Sequence, residues 1–291
     1  MTRRYPPCSL LAAVFALSAC TLGGDGDAPP GGASPPGACA NDACRASFEN
    51  ADWRLRLAVL DDDLLHFEFS RAASPAPDGP IEPTEMIERR DYPGPQRLNR
   101  PTAASFDTAE MGISVDPATL CLTVTDRLRD FELGAVCPHA PGDLRLERPG
   151  ATHAYGLGQH FVPAPQFGDL VGKVRSPGVE FGNAMTGFRG GATGNTQIPL
   201  LLAMGADDDA WGLFVDVVEA QTWALRGEAW RINSRAETVA GYVMTGPDAL
   251  DIRRDYLELT GRPPVPPRRL FGLWLSEYGY DDWAEAEDRL T

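Results

Sequence analysis

Four cysteines are the residues best placed for covalent chemistry. Cys39 and Cys44 lie within CANDAC, and Cys121 and Cys137 flank LTVTDRLRDFELGAV. An even number of thiols outside the cytoplasm points to disulfides. Cys39 and Cys44 can close a tight loop, and strands expected between Cys121 and Cys137 can fold back and bring those thiols together. Metal chelation is the weaker reading, because neither pair has Cys-x-x-Cys spacing and no histidine follows in a finger pattern. His153 and His160 have no obvious acid partner in the sequence and read as structural rather than acid–base groups. The Gly-rich stretch 173–197 lacks the Gly-Lys-Ser/Thr of a phosphate cradle. A formal charge of -15 repels phosphate backbones and argues against nucleic acid as a partner.

Cys20 has a different setting. Arg3 and Arg4 precede the apolar run LLAAVFAL, which is too short for the ~20 residues that span a bilayer. Small residues then lead into Leu17-Ser18-Ala19-Cys20. The segment resembles a bacterial lipoprotein signal, which implies cleavage before Cys20 and acylation of its thiol. Residues 1–19, with Cys8, are then the signal peptide, and the membrane is a partner through the lipid on Cys20. More than one acyl chain, at ~0.8 kcal/mol per buried methylene, gives stable anchoring. Thr21 is not acidic, which favours the outer membrane or periplasmic side. Residues 20–47 are rich in Gly, Pro, Ala and Asp and are expected to form a disordered linker.

The elements that must position any site begin near Asp52. Apolar and charged residues alternate early in Trp53-Arg54-Leu55-Arg56-Leu57-Ala58-Val59-Leu60, the period of a strand buried on one face. Asp61-Asp62-Asp63 reads as a turn. Leu65, Phe67 and Phe69 alternate with His66, Glu68 and Ser70 to complete a hairpin, with His66 expected on a solvated face. Further short strands are expected at 112–116, 120–125, 131–136, 143–147, 198–204, 211–217, 221–226, 229–233 and 237–245, a pattern that argues for a β-sandwich. Residues 71–101 are proline-rich and aperiodic and read as a long surface excursion. One helix is expected after Gly246-Pro247-Asp248, with Ala249, Ile252, Tyr256 and Leu259 on one face. Gly261 stops it, and Pro263-Pro264 prevents a restart. The hydrophobic fraction of 43% is enough for a core.

Three stretches, taken together, resemble glycoside hydrolase family 31, the α-glucosidase and α-xylosidase family. They are Tyr155-Gly156-Leu157-Gly158-Gln159-His160-Phe161; Gly241-Tyr242-Val243-Met244-Thr245-Gly246-Pro247 with Tyr256-Leu257-Glu258-Leu259-Thr260-Gly261-Arg262-Pro263-Pro264; and Pro266-Pro267-Arg268-Arg269-Leu270-Phe271-Gly272-Leu273-Trp274-Leu275-Ser276. The resemblance runs from about Asp52 to the last residue. It implies a mainly β chain: a galactose-mutarotase-like β-sandwich at 48–246, a helix and Pro-rich connector at 247–267, and a truncated first βα unit of a (β/α)8 barrel at 268–291. The barrel strand would hold Leu270, Phe271, Leu273, Trp274 and Leu275, and Asp281 onward would be its helix.

The family implies retaining hydrolysis of O-glycosyl bonds, without metal or organic cofactor, by two carboxylates ~5–5.5 Å apart. In the family both are aspartates on later barrel strands, and no residue of this chain aligns with either. The chain as given is therefore expected to be catalytically incomplete. The alternative is a carbohydrate-binding or interaction module without hydrolysis. In relatives a loop of the sandwich reaches over the barrel mouth, and its equivalent here is 173–197. The family's Asn-Arg-Asp-like run is replaced by Phe181-Gly182-Asn183-Ala184, which removes the sugar-binding acid. Asn183 and Arg189 remain as hydrogen-bonding candidates, and Trp274 and Glu277 as pocket candidates at the end of the barrel strand. Gln159 stands where relatives usually carry glutamate.

Overall fold

Alternation makes the first hairpin. Leu55, Leu57 and Val59 point one way and are buried, and Leu65, Phe67 and Phe69 face them from the next strand. A computed structural model describes residues 42–74, 83–147, 151–158, 160–161, 168–175, 192–193, 197–205, 209–272 and 282–288. Its strands are β1 (Arg45–Glu49), β2 (Trp53–Val59), β3 (Leu64–Arg71), β4 (Asn99–Thr102), β5 (Ser105–Asp107), β6 (Met111–Val115), β7 (Leu122–Asp126), β8 (Phe131–Ala140), β9 (Asp143–Glu147), β10 (His153–Gly156), β11 (His160–Phe161), β12 (Val174–Arg175), β13 (Ala192–Thr193), β14 (Leu200–Met204), β15 (Ala210–Val215), β16 (Thr222–Ala224), β17 (Ala229–Asn233) and β18 (Val239–Gly246).

Two antiparallel sheets hold nearly all of these strands. One runs β1-β2-β3-β18-β15-β14-β10, and the other runs β12-β16-β17-β9-β8-β7-β6-β5-β4. Their inner faces share one core, in which Leu55, Phe67 and Leu213 of the first sheet join Phe106, Leu144 and Trp230 of the second. The chain is thus a β-sandwich, mainly β throughout. Cys121 and Cys137 are joined by a disulfide across the β7–β8 pair. The bridge closes a loop of 16 residues, which constrains the unfolded chain by about 3 kcal/mol. Cys44 is buried and disulfide-bonded. Cys20 and Cys39 lie outside the described residues.

The first sheet is covered on its outer face as well. Helix α1 (Ala249–Thr260) packs there through Ile252 and Leu259, against Leu64, Phe214 and Met244. The Asp248 carboxylate caps the helix by accepting from the N–H groups of Leu250 and Asp251 at 2.7 and 3.1 Å. Gly261, at φ 82°, ends it. Residues 83–92, expected to be part of a surface excursion, instead form a roof over β2, β3 and β18. Ile87 enters the outer apolar cluster, and the N–H groups of Glu88 and Arg89 both donate to the Leu259 carbonyl, at 3.0 and 3.1 Å. Thr84 N–H donates to Asp216 Oδ2 at 3.2 Å, and its hydroxyl donates to Asp216 Oδ1. His66 is accordingly half-buried beneath the roof rather than solvated, with its ring 4.7 Å from that of Tyr242.

Two further expectations need correction. The linker drawn at 20–47 ends too late, because β1 pairs with β2 in register from Arg45↔Ala58 to Glu49↔Arg54. Ala46 and Phe48 pack against the core and draw the chain into the sheet. At the other end, Arg268–Phe271 form a 3-10 turn closed by Leu270 N–H to the Pro267 carbonyl, not the start of a strand. Leu270 and Phe271 are exposed, and no sheet neighbour among the described residues pairs with them. A short helix, α2 (Trp283–Asp288), follows, and Trp274 and Glu277 lie outside the described residues.

The Asp61-Asp62-Asp63 turn is a junction rather than a simple reversal. Asp62 is buried and accepts from the N–H groups of Gln96 and Ala109, each at 3.2 Å. The Asp63 carbonyl accepts from Thr245 N–H at 2.9 Å. Crowding of acids here has a measurable consequence. Burial, then the charges of Asp63 and Asp251, push the Asp255 carboxyl up to about 8. Burial, then Asp61 and Glu110, push Asp63 up to about 6. Both values exceed the ordinary carboxylate value, so between about pH 4 and 8 the native state binds more protons than the unfolded chain. Stability must therefore fall as pH rises through that window. Asp255→Asn is expected to stabilise the protein at pH 8 by about 1–2 kcal/mol, discounted because the side chain is half-open to solvent. It should also flatten the pH slope; urea unfolding at pH 5 and 8 measures both.

Candidate functional site

Three consecutive residues with positive φ close the end of β10. Gly156 has φ 104°, Leu157 58° and Gly158 82°. A leucine in the left-handed region costs about 1–2 kcal/mol. Burial of its side chain offsets that cost, since Leu157 is 2% exposed and full burial contributes about 1.5–3 kcal/mol. Leu157 N–H donates to the Leu200 carbonyl at 2.8 Å, which locks the turn to β14.

This turn forms one wall of a cleft of about 640 Å³, within the size range of small-molecule sites. Gln197 and Ile198 form a second wall, residues 217–221 a third, and Pro83–Met86 of the roof a fourth. Trp223, 2% exposed, contributes to the lining from β16. Buried Gln221 holds the third wall in shape. Its amide donates to the Val215 and Val217 carbonyls, each at 3.3 Å, and its oxygen accepts from Trp223 Nε1 at 3.2 Å. Asp216, beside this wall, is pushed above the usual carboxylate range by burial, while the bonds from Thr84 pull the other way. The carboxylates of the lining are Glu85 and Glu219, and both are exposed.

Asn183, Arg189 and Gln159 fall outside the described residues, as does most of the 173–197 segment that was expected to reach the pocket. The described ends of that segment both meet the cleft region. At one end β12 pairs with β16, bringing Arg175 opposite Trp223. At the other, Gln197 is itself part of the wall. His153 does have an acid partner, which the sequence did not disclose: its Nδ1 lies 2.8 Å from Asp169 Oδ2. Burial works against the Asp169 carboxylate. Bonds from Val171 N–H, His153 and Ala154 N–H outweigh it and hold the group below its ordinary range. The pair fastens residues 168–171 to β10 and does not line the cleft. A 16-residue separation with no periodic relation left no signal for it. Phe161 sits in β11, paired with β13.

No family model matches the chain. An α-xylosidase of Lactiplantibacillus pentosus is 25% identical over 134 residues, which cover 45% of this chain and 16% of that protein. Among solved structures, the family 31 dextranase of Flavobacterium johnsoniae superposes with a TM-score of 0.59 at 15% identity, over 81% of this chain and 29% of that one. The cycloalternan-forming enzyme of Listeria monocytogenes, in complex with a pentasaccharide substrate, gives 0.58 at 16%, over 84% and 24%. A family 31 α-xylosidase from a soil metagenome, complexed with xylose, gives 0.53 at 12%, over 78% and 35%. At these identities the structures speak to the fold, and the chain spans about a third or less of each of these proteins. The α-xylosidase relative and the sandwich shared with family 31 structures together support the chain's resemblance to the N-terminal region of glycoside hydrolase family 31 members.

Proposed function

We propose that this chain is the sandwich portion of an exported, lipid-anchored α-glycoside hydrolase, and that its cleft forms part of the sugar-binding wall while the hydrolytic carboxylates lie outside it. The observation that carries the reading is the meeting, at one cleft, of Leu157 from the Tyr155–Gly158 turn with Gln197 at one end of the 173–197 segment and with Trp223, whose strand pairs with the other end. The cleft itself lacks the equipment for hydrolysis. Retention needs two carboxylates about 5–5.5 Å apart, one of them kept protonated by its surroundings. The carboxylates of the cleft lining, Glu85 and Glu219, are both exposed at the rim. The barrel unit from residue 268 and the anchor on Cys20 belong to the same reading, which locates the protein on the outer-membrane or periplasmic side.

The test uses the 291-residue chain expressed in a bacterial host. No release of 4-nitrophenol from 4-nitrophenyl α-D-xyloside or α-D-glucoside above the buffer rate is expected. Turnover that disappears in the Glu85→Gln/Glu219→Gln double variant would put the chemistry in the sandwich and overturn the proposal. In the same host, labelled palmitate is expected on the native chain and absent from Cys20→Ala; equal labelling of both removes the anchor.

A further inference from the structure

A second cleft, of about 620 Å³, lies between the first sheet and the roof and shares only Pro83 with the cleft above. Strand register builds its floor. Arg45, Ala58, His66 and Tyr242 stand in one row across β1, β2, β3 and β18; Ser47, Arg56, Glu68 and Ala240 stand in the next. Ala58 is the small member of the first row, and it lines the hollow. The roof contributes Ile87, Arg89, Arg90 and Tyr92. It is held at both ends, by Thr84 on Asp216 and by the Leu259 carbonyl, so the enclosure is built rather than a passing loop position.

The chemistry of this lining departs from that of the chain. The protein carries 41 acidic against 26 basic residues, yet the cleft presents the guanidinium groups of Arg45, Arg56, Arg89 and Arg90 against the lone carboxylate of Glu68. Arg56 lies 3.4 Å from Glu68, and Arg89 pairs with Glu258. No carboxylate pairs with Arg45 among the described residues. His66 is held neutral, its pKa lowered to about 4 by burial and then by Arg56 and Arg45. It therefore offers a ring and a hydrogen bond rather than charge. That ring and Tyr242 form an aromatic patch 4.7 Å between centroids. Tyr92 lies under the Arg89 guanidinium, 4.2 Å from its ring centre, and its hydroxyl is enclosed without a hydrogen-bond partner. An enclosed hydroxyl left in this state is unfavourable until something fills its valence.

We infer that this cleft binds an anionic monosaccharide, a pyranose bearing one oxyanion group. The guanidinium forks match a carboxylate or a phosphate. The His66–Tyr242 patch offers apolar faces to the C–H side of the ring, and the Tyr92 hydroxyl meets a ring hydroxyl. The site is separate from the one proposed for neutral sugar and does not depend on that assignment.

Calorimetric titration of the 291-residue chain at low ionic strength, with D-glucuronate, D-glucose 6-phosphate and D-glucose, tests the inference and separates the two oxyanions. At least one charged sugar is expected to bind tenfold or more tightly than glucose. Arg45→Ala lies on an exposed edge strand, and Tyr92→Phe removes only the idle hydroxyl, so circular dichroism should find both folded. Each is expected to weaken binding about tenfold or more. Absence of binding by both charged sugars, equal binding of glucose, or affinity unchanged in both variants overturns the proposal.

Discussion

Replacing Gly156 with alanine is expected to destabilise the sandwich by about 3–5 kcal/mol, the sum of two costs that cannot be relieved together. At φ 104° the backbone is in a region that residues with a side chain adopt only under strain. A methyl group there would also lie 2.2 Å from the Leu200 carbonyl oxygen, which is backbone and cannot rotate away. Moving β10 back from β14 relieves that contact only by breaking the pairing of Gly156 with Leu201 and the bond from Leu157 N–H to Leu200. The effect reaches the cleft, since Leu157 is part of its wall. Thermal and urea unfolding of the variant report the loss directly. A change below about 1 kcal/mol would mean that the turn is not built as described.

Gly156 also shows where the sequence was informative. The glycines of the Tyr155–Phe161 stretch announced a backbone turn, because left-handed geometry leaves a compositional trace. That Leu157 would be the buried member, and Tyr155 only half-buried, left none. The hairpin of β2 and β3 was legible because alternation maps directly onto two faces. The same alternation misled for His66 and Glu68: a polar face reads as solvated unless something covers it. Its cover, residues 83–92, has no period and is held by isolated bonds such as Thr84 to Asp216, 132 positions apart. Helix α1 was legible from its spacing and its stop signal at Gly261. The candidate site was legible only in outline. Motif spacing indicated the Tyr155–Phe161 turn and the 173–197 segment, whereas the walls at 83–86 and 217–221 depend on long-range packing around Gln221 and Asp216. Strand character at Leu270 and Phe271 was implied by the family resemblance, and the apolar run beneath it is ambiguous without neighbours to supply a ladder.

Phe67→Ala should cost about 3–5 kcal/mol, toward the upper end for a buried aromatic. Phe67 is fully buried in the core between the two sheets, 5.5 Å from Phe69 between ring centres. Its partner across β18 is Gly241, and a Cβ built there would lie 2.7 Å from Phe67 Cζ. The ring therefore occupies the volume that a side chain at 241 would fill. When the ring is removed, the nearest cross-strand neighbour has no atoms with which to close the gap, and collapse is limited to shifts of the sheets themselves. That raises the cavity share of the cost. Phe67→Leu, which keeps most of the volume, should lose about 1–1.5 kcal/mol. The inward direction of Phe67 also sets its neighbours outward, since successive side chains on a strand alternate. Loosening this contact should thus disturb His66 and Glu68, and with them the floor of the second cleft. Urea unfolding with an unchanged m-value and a midpoint lowered in the order native, Phe67→Leu, Phe67→Ala is the expected result. Equal stability of the two variants would show that the volume over Gly241 does not govern how the sheets pack.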